Sequence, residues 1–341
     1  MSRNMQNVIY YIGPFPPAYG GVTIKNKNLF QELNKDLDIR QIDLNKVKRG
    51  NLKEILRFVW ATLVGKQYVI GVSTQKNCCI VTKFLYRNKR RALKRSVLMV
   101  MGGMVDVMTN AGTEFVQMLN TYRKIFVELP GMLNELEMAG VRNVGIYPNG
   151  RPRPGASTMP NICDKPLRCL FFSIIRPEKG FSLVLQAAQM LPHMQFHFYG
   201  ELREDCKQSF LDAVKTIENV TYHGVFTGDA VAVYQEISQY DVLLLPTWWR
   251  GEGLPGILIE AKIAGLPVIV SDHNFNKEIV THNFDGLVIQ DITAEKIVAA
   301  LKDFDENSEK LLNMKLAAKA EAEKYYIDAW APVVVRELER E

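Results

Sequence analysis

Short apolar runs alternate with segments of helical spacing along the chain, and the alternation happens twice. In the first half the apolar runs lie at residues 7–12, 39–44, 68–72, 97–101, 125–128 and 144–147. In the second half they lie at residues 167–175, 194–200, 219–225, 240–246 and 266–272. Continuous apolar strands separated by helices are typical of parallel sheets covered on both faces. The pattern therefore predicts an α/β fold of two Rossmann-like domains that face each other across a cleft.

A proline-rich segment without periodicity, residues 149–166, separates the two halves. This composition is typical of a linker between domains. We place the first domain at residues 1–160 and the second at residues 161–324. The last segment, residues 325–341, is predicted to form a helix that can pack back on the first domain.

Residues 52–64 carry apolar side chains at positions 52, 55, 56, 59, 60, 63 and 64, which is helical spacing. The favoured interpretation is a helix whose apolar face packs in the core. Contact of that face with a membrane surface is the alternative.

The composition is that of a globular protein, with 47% hydrophobic and 23% charged residues. No apolar run approaches the ~20 residues of a membrane span, and the N-terminus shows no signal-peptide pattern. The five cysteines have no metal-ligand spacing, and the vicinal Cys78 and Cys79 lie in an apolar run. We therefore expect free thiols in a reducing cytoplasm.

The net charge of +5 hides an asymmetry between the halves. Residues 1–150 hold 22 Lys/Arg and 10 Asp/Glu, a net charge of +12, whereas residues 151–341 have a net charge of −7. Many of the cations lie in the run KFLYRNKRRALKR at residues 83–95. A solvated helix face is one interpretation, and an anionic partner such as a lipid phosphate is the other. Nucleic acid is disfavoured because no nucleic-acid motif is present.

Several ligand classes lack their motifs. Neither half has GxGxxG after its first strand, and no GxxxxGK[ST] loop is present, which argues against a nicotinamide dehydrogenase and a P-loop NTPase. The five histidines all lie in the second half and form no HExxH pair. No pair of acidic residues follows a strand on a loop. We therefore predict no metal and no cofactor.

The stretch GEGLPGILIEAKIAGLPVIVSD, residues 251–272, carries the chemistry. It follows a buried strand, so Glu252 is predicted on a loop, Pro255 in the first turn of a helix and Glu260 in its second turn. The N–H groups of Gly256 and Ile257 suit a diphosphate. A carboxylate one turn deeper suits the vicinal hydroxyls of a ribose, and one on the loop suits hydroxyls beyond the phosphates. The alternative is that both glutamates only serve packing and surface charge.

The spacing E-x7-E, as Glu252 and Glu260 followed by AxxAGLPVIVSD, resembles the family-4 retaining glycosyltransferases of GT-B fold. The resemblance covers nearly the whole chain. Residues 13–22 (GPFPPAYGGV) are similar to the family's N-terminal glycine loop, and residues 171–188 (FFSIIRPEKGFSLVLQAA) to the segment that opens its second domain. Enzymes that build bacterial surface polysaccharides are particularly similar.

The resemblance implies a role for each matching residue. The residues implied on the donor side are Gly21 at the donor phosphate, Lys179 at the diphosphate leaving group, Val225 and Phe226 at the nucleobase, Glu252 with Gly253, Leu254, Gly256 and Ile257 at the sugar and phosphates, and Glu260 at the ribose. Lys179 also follows from its place in the loop RPEKG after a strand, which is the end of a parallel sheet that receives anions.

Two positions depart from the family pattern. Ile174 stands where members commonly have an arginine five residues before the lysine, and Arg176 is the candidate replacement. Met101 stands where many members have a histidine near the reacting sugar, with Gly102 and Gly103 beside it. We assign these three residues to the acceptor side.

The resemblance implies transfer of a sugar, with retention, from a UDP- or GDP-linked donor to a saccharide or lipid-diphosphate-linked acceptor. The resemblance also implies that the transfer takes place in the cytoplasm. Peripheral attachment of the protein to the inner face of the membrane is a further expectation. A nucleotide-sugar epimerase or hydrolase is one alternative. A non-catalytic nucleotide-sugar binder is another.

Overall fold

Within the described residues, two parallel six-stranded sheets form the framework of the fold. The computed structural model describes residues 8–17, 20–73, 76–103, 105–155 and 166–340, without the side chain of residue 76. The chain divides into two units. The first comprises Met1–Pro152, Gly251–Leu254 and Tyr325–Glu341, and the second comprises Arg153–Arg250 and Pro255–Lys324. The predicted boundary between residues 160 and 161 lies outside the described residues.

Strands and helices alternate through the first half of the chain. The strands are β1 (Ile9–Gly13), β2 (Ile39–Asp43), β3 (Tyr68–Ser73), β4 (Val97–Met101), β5 (Lys124–Val127) and β6 (Val144–Ile146). The helices are α1 (Gly21–Leu33), α2 (Leu44–Lys48), α3 (Leu52–Val64), α4 (Lys76–Leu93), α5 (Val105–Thr109), α6 (Thr113–Leu119) and α7 (Pro130–Met138). The strand order is β2-β1-β3-β4-β5-β6, with every neighbouring pair parallel.

The same alternation builds the second half. Its strands are β7 (Arg168–Phe172), β8 (Gln195–Tyr199), β9 (Val220–Tyr222), β10 (Val242–Leu245), β11 (Val268–Ser271) and β12 (Gly286–Ile289). Its helices are α8 (Phe181–Met190), α9 (Lys207–Thr216), α10 (Ala230–Ile237), α11 (Gly256–Ala264), α12 (Asn276–Ile279), α13 (Ala294–Glu306) and α14 (Ser308–Glu321). The strand order is β12-β11-β10-β7-β8-β9, again parallel throughout.

The final helix, α15 (Ile327–Glu339), belongs to the first unit. Its buried face joins the core of that unit through Ile327, Ala331, Val334 and Leu338. The return of the chain is tied at Arg151, whose N–H donates to the carbonyl of Tyr325 at 2.9 Å and whose carbonyl accepts from Ile327 at 2.9 Å. The predicted helix at the end of the chain therefore completes a core formed 150 or more residues earlier in the sequence.

The predicted α/β fold of two Rossmann-like units is confirmed. Central strands such as β4 and β10 are buried over their whole length, which is why they appear in the sequence as continuous apolar runs. Strand β12 was missed, because GLVI is short and follows a polar segment.

The prediction that α3 packs its apolar face in the core is wrong. The buried residues of α3 are Glu54 and Ala61, and the apolar face points outward. Glu54 faces inward because its carboxylate accepts from the N–H of Asp43 at 2.8 Å, while the carbonyl of Ala61 accepts from the Tyr68 hydroxyl at 3.1 Å. Helical periodicity shows that one face is apolar, but it does not show which way that face points.

Candidate active site

The order in which strands are added to the second sheet reverses between β7 and β10, which are neighbours in the sheet. Strands β8 and β9 extend it on one side, and β11 and β12 extend it on the other. In open parallel sheets, ligands bind at the carboxyl ends of the two strands that flank such a point. Lys179 lies on the loop that leaves β7, and Glu260 lies on α11, which follows the loop that leaves β10. Strand order therefore places both predicted residues on segments that leave this edge of the sheet.

The two loops at this edge are tied together. The backbone N–H of Trp248 donates to the carbonyl of Glu178 at 2.8 Å, and the Thr247 hydroxyl donates to the same carbonyl at 3.1 Å. Gly180 permits the close approach, because its φ is +77° and a Cβ there would lie 2.1 Å from the carbonyl oxygen of Pro246. The loop that carries Lys179 is thus fixed against the loop after β10.

Arg176 is held by its neighbours. Its guanidinium donates to both carboxylate oxygens of Glu178, at 2.9 and 3.0 Å, and stacks on the Trp249 ring at 3.9 Å. The hydrogen bond from Arg176 lowers the pKa of the Glu178 carboxyl. Part of the Arg176 charge is therefore balanced by Glu178. The assignment of Arg176 to the diphosphate stays a prediction.

Helix α11 is buried over almost its whole surface, since seven of its nine residues are buried. The other two, Gly256 and Glu260, are four positions apart and so share one face. Gly256 is the first residue of the helix, so this face starts where backbone N–H groups point out of the helix and attract anions. One narrow strip thus presents the helix N-terminus and, one turn deeper, a carboxylate.

The start of α11 and a buried ion pair along it are both well defined. Pro255 is the N-cap residue of the helix. The prediction that Pro255 occupies the first turn is therefore wrong by one residue. Its carbonyl already accepts from Leu258 at 3.1 Å, but its ψ of 124° is not helical. Farther along the helix, the buried ammonium of Lys262 forms an ion pair with the buried Asp285. Loss of one partner of such a pair costs about 3–5 kcal/mol, so the pair holds the helix in one place.

Aromatic rings line the carboxyl ends of β7, β8 and β9. Phe172 and Tyr199 stack with ring centroids 5.2 Å apart, and the ring of Phe226 lies 6.0 Å from Phe172 and 6.2 Å from Tyr199. Phe226 is half-buried and the neighbouring Val225 is exposed. Phe226, one of the two predicted nucleobase residues, therefore belongs to a cluster of rings. The other members, Phe172 and Tyr199, were not predicted from the sequence. Each is the last residue of its strand, which was the available signal.

Polar groups hold the Tyr199 ring in place. Its hydroxyl donates to Glu236 at 2.5 Å and lies 3.0 Å from the Tyr240 hydroxyl, while His223 stacks on the ring at 4.5 Å. The His223 ring is in turn hydrogen-bonded to His197 at 3.0 Å. Burial lowers the pKa of His197 to about 4, with a smaller contribution from the nearby positive charge of Arg168. These histidines are therefore neutral structural groups near pH 7.

In the first sheet the strand order reverses between β1 and β3. The loop after β1 leads to α1, which begins at Gly21. The Asn26 amide donates to the carbonyls of Pro14 at 2.9 Å and Gly71 at 3.1 Å, which ties α1 to the ends of both strands. Among the described residues, a Cβ on Gly21 would meet no heavy atom within 4 Å. Gly21 is therefore exposed at a helix N-terminus with open space around it.

Gly251–Leu254, which contains Glu252, packs backbone to backbone on the loop after β4 in the first unit. The N–H of Gly103 donates to the carbonyl of Gly251 at 3.2 Å, and a Cβ on Gly103 would lie 1.9 Å from the carbonyl oxygen of Glu252. A Cβ on Gly253 would lie 2.9 Å from Gly102. Glycine is needed at both positions for this contact.

Glu128, which the sequence reasoning did not single out, anchors this segment. One carboxylate oxygen accepts from the Lys25 ammonium at 2.9 Å. The other accepts from the N–H groups of Leu254 at 3.1 Å and Gly102 at 3.3 Å. Burial lowers the pKa of Lys25, and the Glu128 carboxylate opposes that lowering. The only signal in the sequence was a lone glutamate at the end of an apolar run.

Other predicted residues of the first unit lie as follows. The Glu252 side chain is only 8% exposed, although it belongs to a loop. Met101 is buried in the core formed with Met99 and Phe126, so its side chain presents no surface to an acceptor. In the part of the chain that the structure describes, no group of three or more His, Cys, Asp or Glu side chains is placed to hold a metal ion. Metal independence stays a prediction.

Comparison with known proteins identifies the second half of the chain. Residues 159–321 match the family described as glycosyl transferases group 1. Residues 159–321 are a group 1 glycosyltransferase domain. The strip on α11, the Lys179 loop and the aromatic cluster all lie within this domain.

Two curated relatives are similar over part of their length. The amylovoran biosynthesis glycosyltransferase AmsK of Erwinia amylovora is 27% identical over 170 residues, which are 47% of this chain and 41% of AmsK. The UDP-Gal:alpha-D-GlcNAc-diphosphoundecaprenol alpha-1,3-galactosyltransferase of Escherichia coli is 32% identical over 102 residues, which are 30% of this chain and 25% of that enzyme. The matched segments thus span less than half of either relative.

A solved structure is similar over almost the whole chain. The crystal structure of HepE from Anabaena in complex with UDP-glucose superposes with a TM-score of 0.71 and covers 97% of this chain and 99% of HepE. The sequence identity is 13%, so the likeness is one of fold. This chain has the GT-B fold.

Proposed function

We propose that this protein is a glycosyltransferase of bacterial polysaccharide biosynthesis, which moves a sugar from a nucleotide-sugar to a saccharide or lipid-linked acceptor. The observation that carries the proposal is the strip on α11. It places a helix N-terminus and Glu260 on one accessible face, at the edge of the sheet where the Lys179 loop also lies. A nucleoside diphosphate presents the matching groups in the same order, a diphosphate for the helix N-terminus and then a ribose for the carboxylate.

A UDP-linked sugar is the donor that the comparisons favour. HepE was crystallised with UDP-glucose, and the Escherichia coli relative is named for a UDP-Gal donor. The partly exposed rings of Phe172 and Phe226, which pack against the buried Tyr199, provide a surface on which a base can stack. A GDP-linked sugar is the alternative donor, and the affinities for UDP and GDP distinguish the two.

The chain's own groups supply the electrostatics of the reaction. As the bond from the anomeric carbon to the phosphate oxygen breaks, negative charge develops on the leaving diphosphate. The Lys179 ammonium and the first N–H groups of α11 stabilise that charge without a metal. The departing phosphate oxygen accepts the proton of the attacking acceptor hydroxyl on the same face of the sugar, so the configuration is retained. Glu252 contacts the hydroxyls of the donor sugar.

The acceptor is a saccharide, free or carried on a lipid diphosphate. The Escherichia coli relative is named for a GlcNAc-diphosphoundecaprenol acceptor, and AmsK is named for amylovoran biosynthesis. An acceptor of this kind agrees with the positive charge of residues 1–150. The first unit is therefore the acceptor-binding part.

Calorimetric titration with UDP and then GDP, in buffer without metal, tests the nucleotide site. We expect UDP to bind, and the Glu260→Ala variant to lose at least about tenfold in affinity through the lost ribose hydrogen bonds. The matched control is Glu309→Ala, which removes an exposed helical glutamate of the same domain. If neither nucleotide binds, even with magnesium, the nucleotide-sugar proposal fails.

Turnover separates transfer from its rivals. Incubation with a UDP-hexose and a synthetic GlcNAc diphospholipid is expected to yield a glycosylated lipid with the anomeric configuration of the donor, read by NMR coupling constants. Epimerised or free sugar without acceptor would indicate the epimerase or hydrolase. Tight UDP-sugar binding without any turnover would indicate the non-catalytic binder.

A further inference from the structure

Helix α3 presents an apolar face to solvent. Its exposed apolar side chains are Leu52, Leu56, Val59, Trp60, Leu63 and Val64, with exposures from 42% to 76%. Their spacing places them on one side of the helix, opposite the buried Glu54 and Ala61. A contiguous apolar face of this kind marks an interaction surface rather than ordinary surface composition.

A strongly basic helix lies directly beside this face. The rings of Phe58 on α3 and Phe84 on α4 are 6.1 Å apart, and the Lys89 ammonium donates to the carbonyl of Leu63 at 2.6 Å. The cations exposed on α4 and just after it are Lys83, Arg87, Arg90, Arg91, Lys94 and Arg95. Apolar and cationic side chains thus form one continuous surface of the first unit.

A pocket on this surface combines both chemistries. It has a volume of about 550 Å³, and its lining includes the apolar Leu56 and Trp60 together with the cations Arg40, Lys53 and Arg57. Arg57 is paired with Glu54 at 2.9 Å, so the exposed Arg40 and Lys53, next to the Trp60 ring, are the cations that hold a lipid phosphate while the acyl chains contact apolar side chains.

We propose that α3 and α4 form a docking surface for an anionic phospholipid bilayer. Apolar side chains enter the interface between headgroups and acyl chains, and the basic run binds the negative surface. A second copy of this chain is a poorer occupant, because symmetric pairing of two α3 faces would bring two basic runs together. No helix among the described residues is long and apolar enough to cross a membrane. This surface goes beyond the proposed sugar transfer and does not depend on it.

Vesicle co-sedimentation of the full chain tests the proposal. The probes are vesicles of phosphatidylcholine alone and vesicles that also contain about 30 mol% phosphatidylglycerol. We expect binding to the anionic vesicles to be at least about tenfold stronger and to weaken on raising the salt from about 0.1 M to about 0.5 M. Equal binding to both vesicles, or to neither, would overturn the proposal.

Two sets of variants assign the binding to the two helices. The α3 set is Leu56→Gln/Trp60→Gln/Leu63→Gln, with an expected loss of at least about tenfold. Its control changes three exposed apolar residues elsewhere, Met138→Gln/Met190→Gln/Leu316→Gln. The α4 set is Arg87→Glu/Arg91→Glu/Lys94→Glu, with an expected loss of at least about 100-fold. Its control is Lys207→Glu/Lys215→Glu/Lys302→Glu, in the second unit.

All the changed side chains are exposed, so the variants are expected to fold, and thermal melts check this. Loss of binding in the controls equal to that in the α3 and α4 sets would overturn the assignment. Quenching of tryptophan fluorescence by brominated phosphatidylcholine adds a local readout, which Trp60→Phe should largely abolish while binding persists. Self-association that the α3 set removes, with vesicle binding unchanged, would assign the face to a second copy and overturn the bilayer proposal.

Discussion

A Cβ added at Gly21 meets no heavy atom of the described residues within 4 Å. A Gly21→Ala substitution near the start of α1 is therefore expected to leave stability unchanged or to raise it by about 0.5–1 kcal/mol. If a donor phosphate approaches this backbone, the added methyl group should lower UDP affinity at least about tenfold. Thermal melts and calorimetry measure the two effects separately. Gly155→Ala is the control, since an added Cβ there also meets no described heavy atom within 4 Å; equal affinity in all three proteins would remove Gly21 from the donor site.

His197 gives the protein a pH dependence with a definite sign. Burial lowers its pKa to about 4 in the folded state, against an ordinary value near 6.5 in the unfolded chain. The unfolded chain therefore binds the extra proton first, so the stability from neutral His197 is complete above about pH 6.5 and is lost as pH falls toward 4. Since the ring is only partly buried, we expect a loss on the order of 1 kcal/mol.

The measurement is urea denaturation of the parent and of His197→Phe at about pH 7.5 and about pH 5. Phenylalanine keeps the ring contact with Tyr240, whose centroid lies 5.1 Å from that of His197, but it cannot take up a proton. The variant should therefore lose less stability than the parent between the two pH values. An equal loss in both proteins would show that His197 does not carry the effect.

At the scale of elements, Gly180 links the loop of Lys179 to the loop after β10. A Gly180→Ala variant meets both the strain of a φ of +77° and the carbonyl of Pro246, so we expect a destabilisation of about 3 kcal/mol. Gly50→Ala is a matched control, because Gly50 has a φ of +76° and a Cβ added there meets no heavy atom within 4 Å in the part of the chain that the structure describes. Its expected cost is about 1 kcal/mol, with UDP binding unchanged.

Calorimetry completes that comparison, since Gly180→Ala should also weaken UDP binding by moving the segment that carries Lys179. If the two variants lost equal stability and both kept parental affinity, the contact between the loops would have no role in the donor site.

Burial decides which elements of the fold could be predicted from the sequence. The strands β4 and β10 are covered on both faces, so only apolar residues fit there and their runs stand out. The exposed strip of α11 could be predicted because Glu260 interrupts an otherwise apolar helix. The outward face of α3 could not, because an inward glutamate that bonds the end of β2 leaves no mark in periodicity. Glu128 was missed because its partners, Lys25 and Leu254, are distant in sequence.

At the scale of the whole molecule, the chain leaves the first unit and returns to it for its last helix. Val334 on α15 is fully buried in the core of that unit, so Val334→Asp places a charge among apolar side chains and should cost more than about 4 kcal/mol. Arg336→Asp, an exposed position of the same helix, is the control and should cost little.

Calorimetric melts with and without UDP show which unit is affected by Val334→Asp. UDP at about 100 times its dissociation constant adds about 2.7 kcal/mol to the part that binds it. Because Lys179, Glu260 and the start of α11 lie in the second unit, Val334→Asp should lower a transition that UDP does not shift and leave the UDP-shifted transition near its parental temperature. If Val334→Asp abolished the UDP-induced shift as well, the second unit would not bind UDP by itself, and the expectation would be wrong.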